Sequence, residues 1–147
     1  MNSIRNSEDR EAILSRFARL SSDAPPKWGR LDAPRMVTHV TDTLRSGLGE
    51  VVPQSFGGPL QYWPLNTLMM FYLPWPKGIP TAPELLMRQP TNLAAEIEML
   101  RATMDRFAVR DVNGEWPAHA AFGRISGSEW GRLMYRHLDY HLGQFGV

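Results

Sequence analysis

Eight of the twelve prolines fall between positions 51 and 90, at 53, 59, 64, 74, 76, 80, 83 and 90, and Gly57, Gly58 and Gly78 lie among them. Inside a helix a proline removes a hydrogen bond and clashes with the preceding turn, so no long helix crosses this stretch. Regular structure must sit on either side of it. The flanks do carry apolar residues at helical spacing. Ile13, Leu14, Phe17 and Leu20 follow Ser7, Glu8 and Asp9, which read as a cap and two acids at the positive end of a helix dipole. Met36, Val37, Val40 and Leu44 form a second stripe, predicted to run from 33 to 47 or 49 with Asp32 as N-cap and Pro34 in the first turn. Trp28 and Leu31 are expected to pack its entry.

Leu93, Ile97, Leu100, Met104 and Phe107 predict a third long helix, capped by Thr91 or Asn92 and ending near Val109. A loop with Trp116, Pro117, His119 and Gly123 leads to Ser126-Gly-Ser-Glu129, a capping box that opens a last helix reaching about Leu142, with Gly143 and Gly146 near its end. Within the proline-rich segment the exception is 65–73, an apolar run that could form one short buried helix or a strand, with helix favoured. Four substantial helices with no period-2 segment predict an all-α bundle with an irregular crossover between the second and third long helices. A connection of some forty residues lets those two run parallel.

The chain has 147 residues, which suits one domain spanning 1–147. Sixteen basic and fifteen acidic side chains leave a net charge of +1, which gives no field for nucleic acid. Residues 1–10 lack the apolar centre of a signal peptide, and no run approaches the roughly 20 apolar residues of a spanning helix, so the expectation is a soluble cytoplasmic protein with no membrane partner. There are no cysteines, which removes disulfides, thiolate metal sites and cysteine nucleophiles together.

Histidine carries the chemistry that remains. On the last helix the inward stripe reads Trp130, Leu133, Met134, His137, Leu138, His141, Leu142, so two imidazoles replace apolar residues four apart. Residues at i and i+4 sit one above the other, and both rings can reach one cation. His39 interrupts the stripe of the second helix, and three histidines from two packed helices would make a facial site with an open position. Zn²⁺ and Ni²⁺ are the first candidates, Zn²⁺ with a fourth position open, while Ni²⁺, like Fe²⁺ or Mn²⁺, would take more solvent ligands. The competing reading is that each histidine is a semi-buried residue bonded to a backbone carbonyl.

Asp42, Asp139 and Tyr140 are candidates for supporting the ligands or moving protons. His119 is expected to brace its loop, with contact to substrate as the alternative. Arg124, Arg132 and Arg136 could hold an anion or serve as solvated charges. Tyr62, Trp63, Met69, Met70, Phe71 and Trp75 are expected to pack the core, with a pocket or dimer surface as alternatives.

Five segments carry a family resemblance: Trp28-Gly-Arg-Leu31, Met36-Val-Thr-His-Val-Thr-Asp42, Ala121-Phe-Gly123, Glu129-Trp130 and His137-Leu-Asp-Tyr-His-Leu-Gly-Gln-Phe-Gly146. Together they resemble the DinB-like/YfiT-like metalloenzyme superfamily, in a branch with a C-terminal HLxxHLxQFG signature. The chain departs from that branch at Ala120 after His119 and at Tyr140 before His141. The resemblance implies an up-down-down-up four-helix bundle and a homodimer, and places His39, His137 and His141 at the metal-ligand positions. It also implies a metal-dependent transferase or hydrolase in which water or a low-molecular-weight thiol attacks a small substrate. The alternatives are a non-catalytic, stress-related bundle acting through metal binding or protein interaction, and a carrier of hydrophobic ligands.

Overall fold

A computed structural model describes all residues, 1–147. It contains five α-helices: α1 (Ser7–Phe17), α2 (Ala33–Gly47), α3 (Leu65–Phe71), α4 (Leu93–Val109) and α5 (Gly127–Phe145). Single 3₁₀ turns occur at Pro59–Gln61 and Pro83–Leu85, and there is no strand. The only β pairing is one isolated antiparallel bridge between His119 and Gly123. The all-α expectation is met, and no helix is long and apolar enough to cross a membrane.

The helix starts follow their capping side chains. Asp32 accepts from the Arg35 amide at 2.9 Å, Asn92 accepts from Ala95, and Ser126 and Glu129 form the reciprocal capping box. At α1 the cap is Asn6, not Ser7, because Asn6 is the extended residue and its Oδ1 lies 3.0 Å from the Asp9 amide. The last helix runs three residues beyond Leu142. Gly143 stays helical, and termination waits for Gly146 in the left-handed conformation at φ 77°.

The predicted stripes face inward. α2 packs against α4 and α5, and α1 against α5 and α4. Between them lies one apolar cluster of 22 buried residues, with Trp130, Phe17, Phe107, Met36 and Leu44 among its fully covered side chains. Gly47 lets α2 come close to α4, since a Cβ there would stand 2.7 Å from the Phe107 ring.

The crossover departs from expectation in its burial. Of α3 only Asn66 and Met70 are buried. Met69, Phe71 and Trp75 pack partly against the core, but Tyr62 and Trp63 are 70% and 79% exposed and do not belong to it. Each lies where a proline turn carries the chain over the surface. Trp28 does not merely lead into α2. Its indole Nε1 donates to the Tyr140 hydroxyl of α5 at 3.2 Å.

Candidate metal centre

α5 places His137 and His141 on its inner face, and α2 packs alongside with His39. His39 Nε2 lies 3.3 Å from His137 Nε2, and His141 Nε2 lies 3.0 Å from the same atom. One nitrogen from each ring falls within 4.8 Å of the others. Nitrogens at the roughly 2.0–2.1 Å of a zinc–imidazole bond stand about 3.3 Å apart in a tetrahedron and about 2.9 Å apart at right angles. The two closest pairs match that range.

Proton bookkeeping strengthens the geometry. His39 Nδ1 faces the Leu85 carbonyl at 3.3 Å, and His141 Nδ1 faces Gln144 Oε1 at 2.9 Å. Both partners only accept, so in neutral rings both protons sit on Nδ1 and both Nε2 atoms present lone pairs. The Gln144 amide is itself oriented, because its Nε2 donates to the Trp28 carbonyl at 2.6 Å. That contact requires Gly29, at φ 84°, since a Cβ there would overlap the Gln144 amide. His137 Nε2 carries one hydrogen at most and cannot satisfy both neighbours. In the tautomer that leaves His137 Nε2 unprotonated, three lone pairs face one point, and a shared cation would relieve their repulsion.

The surroundings keep the rings neutral. Burial, partly opposed by the bond to Leu85, brings His39 down to about 4. Burial first and the charge of His39 second lower His141 to about 3, against the bond to Gln144. His137 is pushed well below its usual value by burial and then by the neighbouring histidines. At pH 7 all three are available as neutral ligands.

The site opens on a cavity of about 770 Å³ that His39, His137, His141 and His119 all line. Trp28, Met69, Trp75, Leu133 and Met134 supply apolar wall. That volume lies in the range of small-molecule sites.

The other sequence candidates are distributed differently. Asp42 is buried but paired with Arg45 and Arg88, each at 3.1 Å, while the His39 ring bonds to Leu85 and His137 instead. Asp139 pairs with Arg16 at 2.6 Å. Tyr140 lines the cavity and donates to the Pro76 carbonyl at 3.2 Å. His119 braces its loop, its Nδ1 accepting from the amides of Ala121 at 3.1 Å and Phe122 at 3.3 Å. Arg136 holds no anion position. It donates to the carbonyls of Met69, Met70 and Leu73, which tethers the end of α3 to α5. Arg124 and Arg132 are exposed.

Two groups escaped sequence reasoning. Gln144 was legible in principle, three residues after His141 on the same helical face. The Leu85 carbonyl, a backbone atom of the crossover, left no signal in residue type.

A family model described as a protein of unknown function, DUF1569, matches residues 8–146. The chain belongs to the DUF1569 family. The matched span of this DUF1569 chain contains all three histidines together with Leu85 and Gln144. Neither a curated protein nor a solved structure matches it.

Proposed function

We propose that this DUF1569 chain is a divalent-metal-dependent enzyme, built as the up-down-down-up bundle of the DinB-like class. In this reading His39, His137 and His141 hold a Zn²⁺ or Ni²⁺ ion, or Fe²⁺ or Mn²⁺, and the cavity admits a small substrate. The single observation that carries it is the convergence of three neutral Nε2 atoms, two with the opposite nitrogen already bonded, on a cavity wall. A bound divalent ion would supply an electrophilic centre that makes water or a low-molecular-weight thiol nucleophilic near neutral pH.

The chain's own residues do the rest. Leu85 and Gln144 fix the tautomers and ring orientations of His39 and His141, which raises their strength as ligands. The apolar walls exclude water and leave room beside the ligands, as a catalytic site needs and a closed structural site does not. Transfer of a thiol to a small electrophile, or hydrolysis of one, is the reaction class this arrangement serves.

Elemental analysis of protein purified without a histidine tag tests the reading. Near-stoichiometric metal is expected, lost in His39→Ala and held about 10–100-fold more weakly in Gln144→Leu. Failure to take up Zn²⁺ or Ni²⁺ on reconstitution would overturn it.

A further inference from the structure

The cavity is one-sided in charge. Of its thirty lining residues, Arg30 is the only one of an acidic or strongly basic type. No carboxylate lines it. Asp42, Glu84 and Asp139, which neighbour site residues in sequence, all lie outside the lining, and Asp42 and Asp139 are taken by arginines. Two wall residues carry cations on their rings: Lys77 Nζ is 4.7 Å from the centroid of Trp28, and the Arg136 guanidinium is 4.9 Å from that of Trp75.

The consequence for a ligand is direct. Three neutral imidazoles cancel none of a divalent ion's charge, so the open position favours an anion, and no wall group repels one. Arg30 is exposed and makes no hydrogen bond or ion pair within the protein, so its guanidinium is free to attract that anion. His119 reinforces the preference. With Nδ1 accepting two backbone amides, its proton sits on Nε2, and what it can offer a ligand is a donor. The remaining lining is apolar and aromatic, with sixteen hydrophobic residues, and recovers free energy only from a ligand with an apolar body.

We propose that the cavity binds a small hydrophobic monoanion, a carboxylate or thiolate on an aliphatic or aromatic body, with the anionic head at the three histidines and the body between Trp28 and Trp75. The position of the head rests on the metal reading above; the preference for an apolar anion rests on the lining.

Trp28 and Trp75 make fluorescence titration a direct readout, checked by calorimetry. The probes are 3-phenylpropionate, 3-phenylpropanamide, acetate and 2-phenylethanethiol, each added to zinc-loaded and to metal-free protein. On zinc-loaded protein 3-phenylpropionate, 2-phenylethanethiol or both should bind at least ~10-fold more tightly than the amide and than acetate. Which of the two binds more tightly tells a carboxylate head from a thiolate head. Arg30→Gln should weaken the preferred anion about 3- to 10-fold, leave the amide unchanged, and reduce the salt dependence of binding. Equal affinity for the amide would overturn the anionic preference, and equal affinity for acetate would overturn the apolar one. If the protein takes up no zinc, the metal reading fails separately. The acid-to-amide ratio on metal-free protein then decides the ligand class, with a ratio above one that Arg30→Gln removes as the supporting result and a ratio of one as the contrary.

Discussion

The four long helices and the crossover at 48–92 are held together by different forces. The helices bury their stripes in a common core. In the crossover only Asn66, Met70, Ala82 and Leu85 are buried, too little apolar area to order some forty-five residues by itself. Polar tethers to the helices do that work. Arg136 of α5 caps the end of α3, Arg88 bridges Asp42 of α2 and Glu96 of α4, and the Phe56 amide donates to the Ala120 carbonyl at 2.9 Å. The division suits the proposed site. All three candidate ligands stand on the helices, where packing locks them, while Phe56, Met69, Trp75 and Ile79 of the crossover shape the space in front of them.

The sharpest way to break this comparison is a tryptophan truncated in each region. Trp130 is fully buried, touches Phe107 and Trp116, and donates Nε1 to the Pro117 carbonyl at 3.0 Å. Trp130→Ala should cost about 3–5 kcal/mol in urea denaturation. Trp63→Ala, at a 79% exposed crossover position, should stay within about 0.5 kcal/mol. A large loss at Trp63 would mean that the crossover packs against something on its own account.

Arg88→Met asks the reverse question, whether one polar tether matters as much as core burial. Its guanidinium bonds Asp42 at 3.1 Å and Glu96 at 2.9 Å, and both carboxylates are almost wholly covered. Removing it strands buried charge, at a cost on the order of 2–3 kcal/mol. That is less than for a fully buried pair, because Arg88 is one-quarter exposed and Asp42 keeps Arg45. Leu85 lies three residues upstream, so zinc affinity should fall with stability. Unchanged affinity in a destabilised variant would show that the Leu85 carbonyl is held by the 3₁₀ turn at Pro83–Leu85 alone.

The same difference explains what was legible in the sequence. Periodicity reports burial, so the helices, their inward stripes and the trio His39, His137 and His141 could all be read from spacing. Caps could be read to within a residue, since Asn6 and Ser7 are both good N-caps and only the backbone decides between them. The tethers could not. Arg88 acts on Asp42 46 positions away and Arg136 on the Met70 carbonyl 66 positions away, the second partner is a main-chain atom, and a surface arginine looks the same in sequence whether or not it has such a role. The cavity was hidden for the same reason, because its front wall belongs to the segment without a period.

His119 sits where the two regions meet, and pH probes that junction with the smallest effect. Its loop presents the Ala120 carbonyl to Phe56 and Gln61 of the crossover, and its Nδ1 accepts the amides that shape the loop. Burial lowers its pKa from 6.5 to about 4, so the folded protein holds it neutral while the unfolded chain protonates it below 6.5. Its contribution to stability is therefore complete above about pH 6.5 and is lost as the pH falls from there towards 4. Between pH 7.5 and 5.5 the wild type should lose about 1 kcal/mol more than His119→Gln, whose amide oxygen can still accept from the loop. The protection of the Phe56 amide, corrected for the intrinsic exchange rate at each pH, should fall over the same interval by more in the wild type than in His119→Gln. If that amide exchanges at a pH-independent opening rate while global stability falls, the crossover is not hung from this loop, and its order comes from Arg88 and Arg136.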